Sequence, residues 1–164
     1  MVTPNAPQEA VVAEATGDGL FQVRIDTGDH SFLMDEPAAY GGLASGPNPF
    51  DLLSAALAGC TLMTLKLYAQ RKGWTLDRLN VRVTHQKGSA DTRDRFDRIV
   101  ELGDVTDEQR AALLKIAQRC PVHLLFERGA DVTASEALAE LPGAVANGLH
   151  AQEVDEACRE GGAL

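Results

Sequence analysis

From Leu52 to Leu65 the chain carries no charged side chain, and Leu, Ala, Met, Cys and Thr would cover nearly the whole circumference of a helix there. Start and stop signals bracket the run. Asn48 suits an N-cap, Pro49 the first helical position and Asp51 a returning capping contact. At the other end Arg71 and Lys72 favour the C-terminal dipole, and Gly73 fits the left-handed position beyond. The spacing predicts a helix reaching Lys72, roughly 36 Å long at about 1.5 Å per residue. A helix apolar all round must be enclosed, which a short meander of strands cannot do alone, so the rest of the chain or a second copy has to cover its other face. A homodimer is expected.

Between Val11 and Met34, β-branched and aromatic residues alternate with polar ones around Gly17-Asp18-Gly19 and Thr27-Gly28-Asp29. Three short strands in an antiparallel meander follow, with Phe21, Val23 and Ile25 facing inward. Asp35 to Pro47 reads as a loop. Past the central helix, Val81, Val83 and His85 share one strand face and Arg82 and Thr84 the other, and Arg95 to Leu102 reads as a second strand. Thr106-Asp107-Glu108-Gln109 is a capping box that opens a helix striped with Leu113, Leu114, Ile116 and Ala117 and ending near Arg119. Pro121 interrupts the regular bonding, and Asp131 to Ala134 is expected as one more strand. Residues 141–164 are expected as a peripheral or flexible tail to a domain over 1–140.

With 164 residues, 45% hydrophobic and 24% charged, the chain has the makeup of one globular domain. Its net charge of −9 repels phosphate backbones and anionic membrane surfaces, so neither nucleic acid nor a membrane is an expected partner. Met1 to Gln8 lacks the basic and apolar segments of a signal peptide, and no apolar run approaches the roughly 20 residues of a membrane span. A cytoplasmic location is expected.

Three cysteines, an odd number where thiols stay reduced, argue against a disulfide framework and leave buried small residues, metal ligands or reactive thiols. Cys60 lies in the apolar helix beside Gly59, a residue that costs about 1 kcal/mol relative to Ala in a helix interior and signals close approach of another chain or a ligand. Cys120 stands in Arg119-Cys120-Pro121-Val122-His123, where a basic residue and a histidine can favour the thiolate. Cys60, Cys120, His123 and His85 are also types that bind zinc. Cys158, His30, His150 and the charge cluster from Asp91 to Asp97 read as solvated surface.

Gly41-Gly42, then Gly46-Pro47-Asn48-Pro49-Phe50-Asp51-Leu52-Leu53, then Ala55-Ala56-Leu57-Ala58-Gly59-Cys60-Thr61, and later Cys120-Pro121-Val122-His123 resemble the OsmC/Ohr family, in particular its OsmC-like branch with a Cys-Pro-Val motif. The resemblance runs from about Val11 to Ala134. It implies an α+β fold of antiparallel sheets around a long buried central helix, with two chains intertwined and active sites at the subunit interface. It also implies that Cys60 attacks a hydroperoxide and becomes a sulfenic acid, that Cys120 condenses with it to a disulfide, and that a cellular thiol reduces the disulfide. Cys60 and Cys120 are thus the expected catalytic residues of a thiol-dependent peroxidase, with no metal and no cofactor.

Leu57, Met63 and Thr64 neighbour Cys60 with few fixed charges, so organic hydroperoxides are the expected substrates. The chain departs from Ohr-like members, which carry a glutamate directly after Asn-Pro and an arginine in an early loop. Here Phe50 and then Asp51 follow Asn48-Pro49, and Gly17-Asp18-Gly19-Leu20 has no arginine. Without those two groups the Cys60 rate is expected to climb between about pH 7 and pH 9 as the thiol ionises, unless Asp51, Arg119 or a residue of the second copy replaces them. The alternative function is non-catalytic binding of a small ligand by an OsmC-like protein.

Overall fold

The computed structural model describes residues 9–146 and 148–160. The reading of Met1 to Gln8, and residues 161–164 of the C-terminal stretch, lie outside them. The chain divides into two compact units, one of residues up to 52 with 132–149, the other of residues 53–131 with those from 150 onward.

In the first unit, β1 (Val12–Ala15), β2 (Val23–Asp26) and β3 (Ser31–Met34) form the expected antiparallel meander. Gly17, Gly19 and Gly28 take φ of 85°, 70° and 90° in its turns, as the sequence requires. Of the three inward residues, Ile25 is buried and Val23 half-buried, while Phe21 remains exposed. The loop that follows is ordered by one carboxylate. Buried Asp35 accepts hydrogen bonds from the backbone N–H groups of Glu36, Leu43 and Ser45 and from the Ser45 hydroxyl. Burial opposes its charge, yet these four bonds hold its pKa below the ordinary carboxylate value. A Cβ at Gly42 would collide with the Glu36 carbonyl, and one at Gly46 with the Leu33 carbonyl, which accounts for both glycines.

α1 (Pro49–Arg71) begins as the sequence dictates: the Asn48 Oδ1 accepts from the N–H groups of Phe50 and Asp51 at 2.9 and 3.0 Å, and the Asp51 carboxylate accepts from the Asn48 N–H at 3.2 Å. Gly73 closes it with φ 67°. Contrary to the sequence expectation, α1 is long and apolar enough to cross a bilayer, with mean hydropathy 1.5. Its buried face instead forms the spine of the second unit: Leu57, Cys60, Leu65, Tyr68 and Ala69 join Leu113, Ile116 and Ala117 in one core. Among the described residues, part of the opposite face stays exposed. Leu53 and Met63 are 42% and 56% exposed, and a Cβ at Gly59 would meet nothing within 4 Å.

The second unit also holds the antiparallel pair β4 (Leu79–Gln86) and β5 (Arg95–Leu102), both at their expected places, and α2 (Asp107–Ala117) with its Thr106–Gln109 capping box. Two expectations fail, and one helix was not expected. Pro121 does break the bonding of α2, as expected, but it also opens α3 (Pro121–Arg128), since a missing N–H costs nothing at the first helical position. Asp131 to Ala134 forms no strand, and Val132 is 91% exposed, because one alternating pair without a partner edge cannot pay its backbone desolvation. Within the last 24 residues, α4 (Leu149–Glu160) forms, and Val154, Ala157 and Cys158 are buried, so Cys158 is not surface. The 3.6-residue spacing of Val154 and Cys158 puts them on one helix face, a pattern masked by the surrounding charge.

Candidate active site

Cys60 and Thr61 sit side by side on the buried face of α1, where the Thr61 hydroxyl donates to the Leu57 carbonyl at 2.7 Å and the Thr64 hydroxyl to the Cys60 carbonyl at 2.8 Å. These i−4 bonds satisfy two polar side chains inside an apolar core. Cys120 arrives from the other side as the N-cap of α3. Its extended backbone (φ −61°, ψ 136°) turns Sγ back over the first turn, where it accepts the His123 N–H at 3.4 Å. The fold thereby brings together the two cysteines expected to work as a pair, since successive N–H groups of α3, those of Val122 and His123, reach Cys60 Sγ and Cys120 Sγ. All three cysteines of the chain are free thiols.

The two sulfurs are not equivalent. Cys60 Sγ accepts the Val122 N–H at 3.5 Å. Cys120 Sγ, besides His123, lies 3.6 Å from the Thr61 hydroxyl and 4.0 Å from the Arg98 guanidinium. The hydrogen bond to Cys120, then burial, push the Cys60 thiol well above its ordinary range. The same bond brings Cys120 down to about 5, against burial and with the aid of the His123 N–H, the Thr61 hydroxyl and Arg98. The two thiols titrate as a pair, and the backbone N–H groups at the start of α3 favour a negative charge on it.

Sequence reasoning missed Arg98 and Thr61. A signal for Arg98 was available: on β5 it follows the period of Phe96, Val100 and Leu102, which pack against the core, so it is a cation in an apolar register. Arg119, favoured from sequence adjacency, lines a separate groove with Glu153 and Glu156. The possible zinc ligands do not gather: His85 pairs with Asp94 at 2.7 Å and His123 with Glu127 at 3.1 Å, and among the described residues no three potential ligands form a cluster. The Asp91 to Asp97 stretch is likewise more than solvated charge, since Asp94 also accepts the Gly88 N–H. A cavity of about 570 Å³, lined by neither cysteine, has apolar walls from Leu57, one turn before Cys60, and from Phe96, Leu125 and Phe126, with Arg93 and His123 among its polar groups.

A family model described as OsmC-like protein matches residues 42–135, more than half of the chain and inclusive of both cysteines. The chain belongs to the OsmC family. Solved structures agree with this OsmC fold at low identity. An OsmC-like protein from Mycoplasma pneumoniae is 19% identical with a TM-score of 0.59, over 74% of this chain and 88% of that one. An organic hydroperoxide resistance protein from Legionella pneumophila is 16% identical with a TM-score of 0.56, over 74% and 90%. The organic hydroperoxide resistance protein OhrB of Bacillus subtilis is 23% identical with a TM-score of 0.51, over 71% and 88%. No curated protein matches the chain. The OsmC assignment bears out the α+β expectation, with small antiparallel sheets and one long helix.

Proposed function

We propose that this OsmC-family protein is a thiol-dependent peroxidase that reduces organic hydroperoxides through Cys60 and Cys120. The observation that carries the reading is the meeting of two buried free thiols at the first turn of α3, in a family with organic hydroperoxide resistance proteins among its structural relatives. Two thiols and one hydroperoxide yield a disulfide, an alcohol and water. One sulfur takes the distal oxygen as the O–O bond breaks, and the second displaces that oxygen. A cellular thiol returns the disulfide to two thiols, which assigns the work to the cytoplasm.

The apolar cavity whose lining includes Leu57 and His123 supports the substrate class. Its walls are Leu57, Phe96, Leu125 and Phe126 rather than the Met63 expected from sequence, which points outward. An apolar tail gains by burial there, so cumene hydroperoxide should oxidise the pair faster than hydrogen peroxide. Peptide mapping after one equivalent of cumene hydroperoxide tests the reading: a Cys60–Cys120 disulfide is expected, and protein that stays reduced sinks it. The cavity also favours a second reading, non-catalytic binding of an apolar ligand, which a copurified ligand with no peroxide consumption would establish.

We also propose a homodimer. The exposed apolar strip of α1 at Leu53, Ala56 and Met63, with open space over Gly59, fits a second copy of the same helix. Light scattering at micromolar concentration should give twice the chain mass of 17.5 kDa. A folded monomer would refute it.

A further inference from the structure

We infer that Arg98 is a positioning residue for the second chemical step, in which Cys120 closes a disulfide on an oxidised Cys60. The inference rests on the peroxidase reading, keeps Cys60 as the sulfur that meets the hydroperoxide, and gives a task to a side chain that no sequence motif marked.

Arg98 is half-buried in the core-facing register of β5, between Phe96 and Val100. A guanidinium there needs accepting partners. The Thr61 hydroxyl gives its one proton to the Leu57 carbonyl, so its oxygen is free to accept, and Arg98 Nη1 donates to it at 2.8 Å. Nη2 donates to the amide oxygen of Gln118, the C-cap of α2, at 3.3 Å. Two neutral acceptors on two helices thus fix the fork in place, and neither cancels its charge. The third contact is Cys120 Sγ, 4.0 Å from Nη1, whereas Cys60 Sγ accepts the Val122 N–H. Among the described residues no carboxylate is within contact of Arg98, so the thiol of Cys120 is the group in its set that can take on a compensating charge. The other titratable and charged groups around Cys120 do not offset that pull. Cys60 faces it from α1, the His123 ring turns to Glu127 at 3.1 Å, and the groove bordered by Pro121 holds Arg119 and Arg128 with Glu153 and Glu156, two of each sign.

Both sulfurs must attack as thiolates, but at different times. In the first step Cys60 takes the distal oxygen of the hydroperoxide, the O–O bond breaks, and the alkoxide leaves and is protonated to the alcohol. Until then the two thiols titrate together. Afterwards Cys60 is a sulfenic acid, and Cys120 has to carry the negative charge itself. Its thiolate attacks the sulfenic sulfur, the S–S bond forms as the S–O bond breaks, and hydroxide leaves and is protonated to water. The two thiol protons account for the alcohol and the water, and the hydroperoxide is the sole oxidant. A cation held beside Cys120 Sγ keeps that sulfur ionised for the second attack.

The test mixes reduced full-length wild type and Arg98→Met with one equivalent of cumene hydroperoxide, with and without dimedone, and follows hydroperoxide loss, the Cys60 adduct and the disulfide by rapid quench and mass spectrometry. In Arg98→Met the disulfide should close about tenfold more slowly, with dimedone trapped on Cys60, while hydroperoxide loss changes by less than about threefold. The pH midpoint of disulfide closure should rise by about one unit, and Arg98→Lys should restore part of it. Arg98→Gln serves if methionine disturbs the fold. A purely structural role would slow both steps together and leave the midpoint in place, and that result overturns the inference. So does a disulfide that closes at the wild-type rate, or an adduct on Cys120 in place of Cys60. Wild type that stays reduced removes the peroxidase reading itself, and the inference with it.

Discussion

Cys120 and Cys158 are hidden from solvent to the same degree, 0% and 2% exposed, yet their surroundings drive the two thiols in opposite directions. Cys158 meets an acceptor: its S–H donates to the Thr64 carbonyl at 3.5 Å, and burial raises its pKa with only Arg71 in opposition. Cys120 Sγ meets a donor and a cation: it accepts the His123 N–H at 3.4 Å and lies 4.0 Å from the Arg98 guanidinium. Burial alone thus makes a quiet thiol, and it is the direction of the neighbouring dipoles that turns an equally buried sulfur into a base.

The contrast is broken most directly by activity. Cys120→Ser should lower cumene hydroperoxide consumption, measured with dithiothreitol as reductant, by about 100-fold or more if the pair works as proposed, because loss of either thiol leaves the disulfide path without a partner. Cys158→Ser should stay near wild type, and a comparable loss there would end the distinction.

A pH titration of thiolate absorbance sharpens it. A depressed pKa means the charged form persists above it, so one thiolate per chain should be present at neutral pH and vanish only as pH falls through about 5. Cys120→Ser should lose that thiolate, and Cys158, raised by burial, should not replace it. The climb between pH 7 and pH 9 expected from the sequence is the other outcome, and a midpoint in that range would favour it.

Next in size is Thr61→Val, which keeps the side-chain shape and deletes one hydroxyl beside Cys120. The rate of thiol oxidation should fall about threefold to tenfold, the worth of one hydrogen bond. Thr64→Val, whose hydroxyl bonds a carbonyl instead, should change the rate less, and stopped-flow mixing of both variants compares them. The smallest effect belongs to Cys158→Ala, which should cost about 1 kcal/mol in urea unfolding and leave peroxide turnover intact.

How much of this was legible follows the range of each signal. Asn48, Pro49 and Asp51 announced the start of α1 because capping is made by residues within one turn, and Thr106 with Gln109 did the same for α2. The glycines of the β1–β2 and β2–β3 turns were readable because positive φ is a local demand. α3 was missed although Cys120, Pro121 and Gly129 mark both its ends, since a proline after a helix was taken as a stop rather than a new first position. α4 was missed because Val154, Ala157 and Cys158 are few among charges, and only the core they complete makes them a face.

By itself the sequence determined the α+β class, the long uncharged helix and the two cysteines worth pairing, because period, caps and motif order are written along the chain. What surrounds each sulfur was decided only by tertiary structure. The groups around Cys120 Sγ come from Thr61, 59 residues away, and Arg98, 22 residues away, and reach it only once β5 and α3 pack on α1. The pull of a charge or dipole on a thiol falls steeply with distance, and those distances exist only in the folded core.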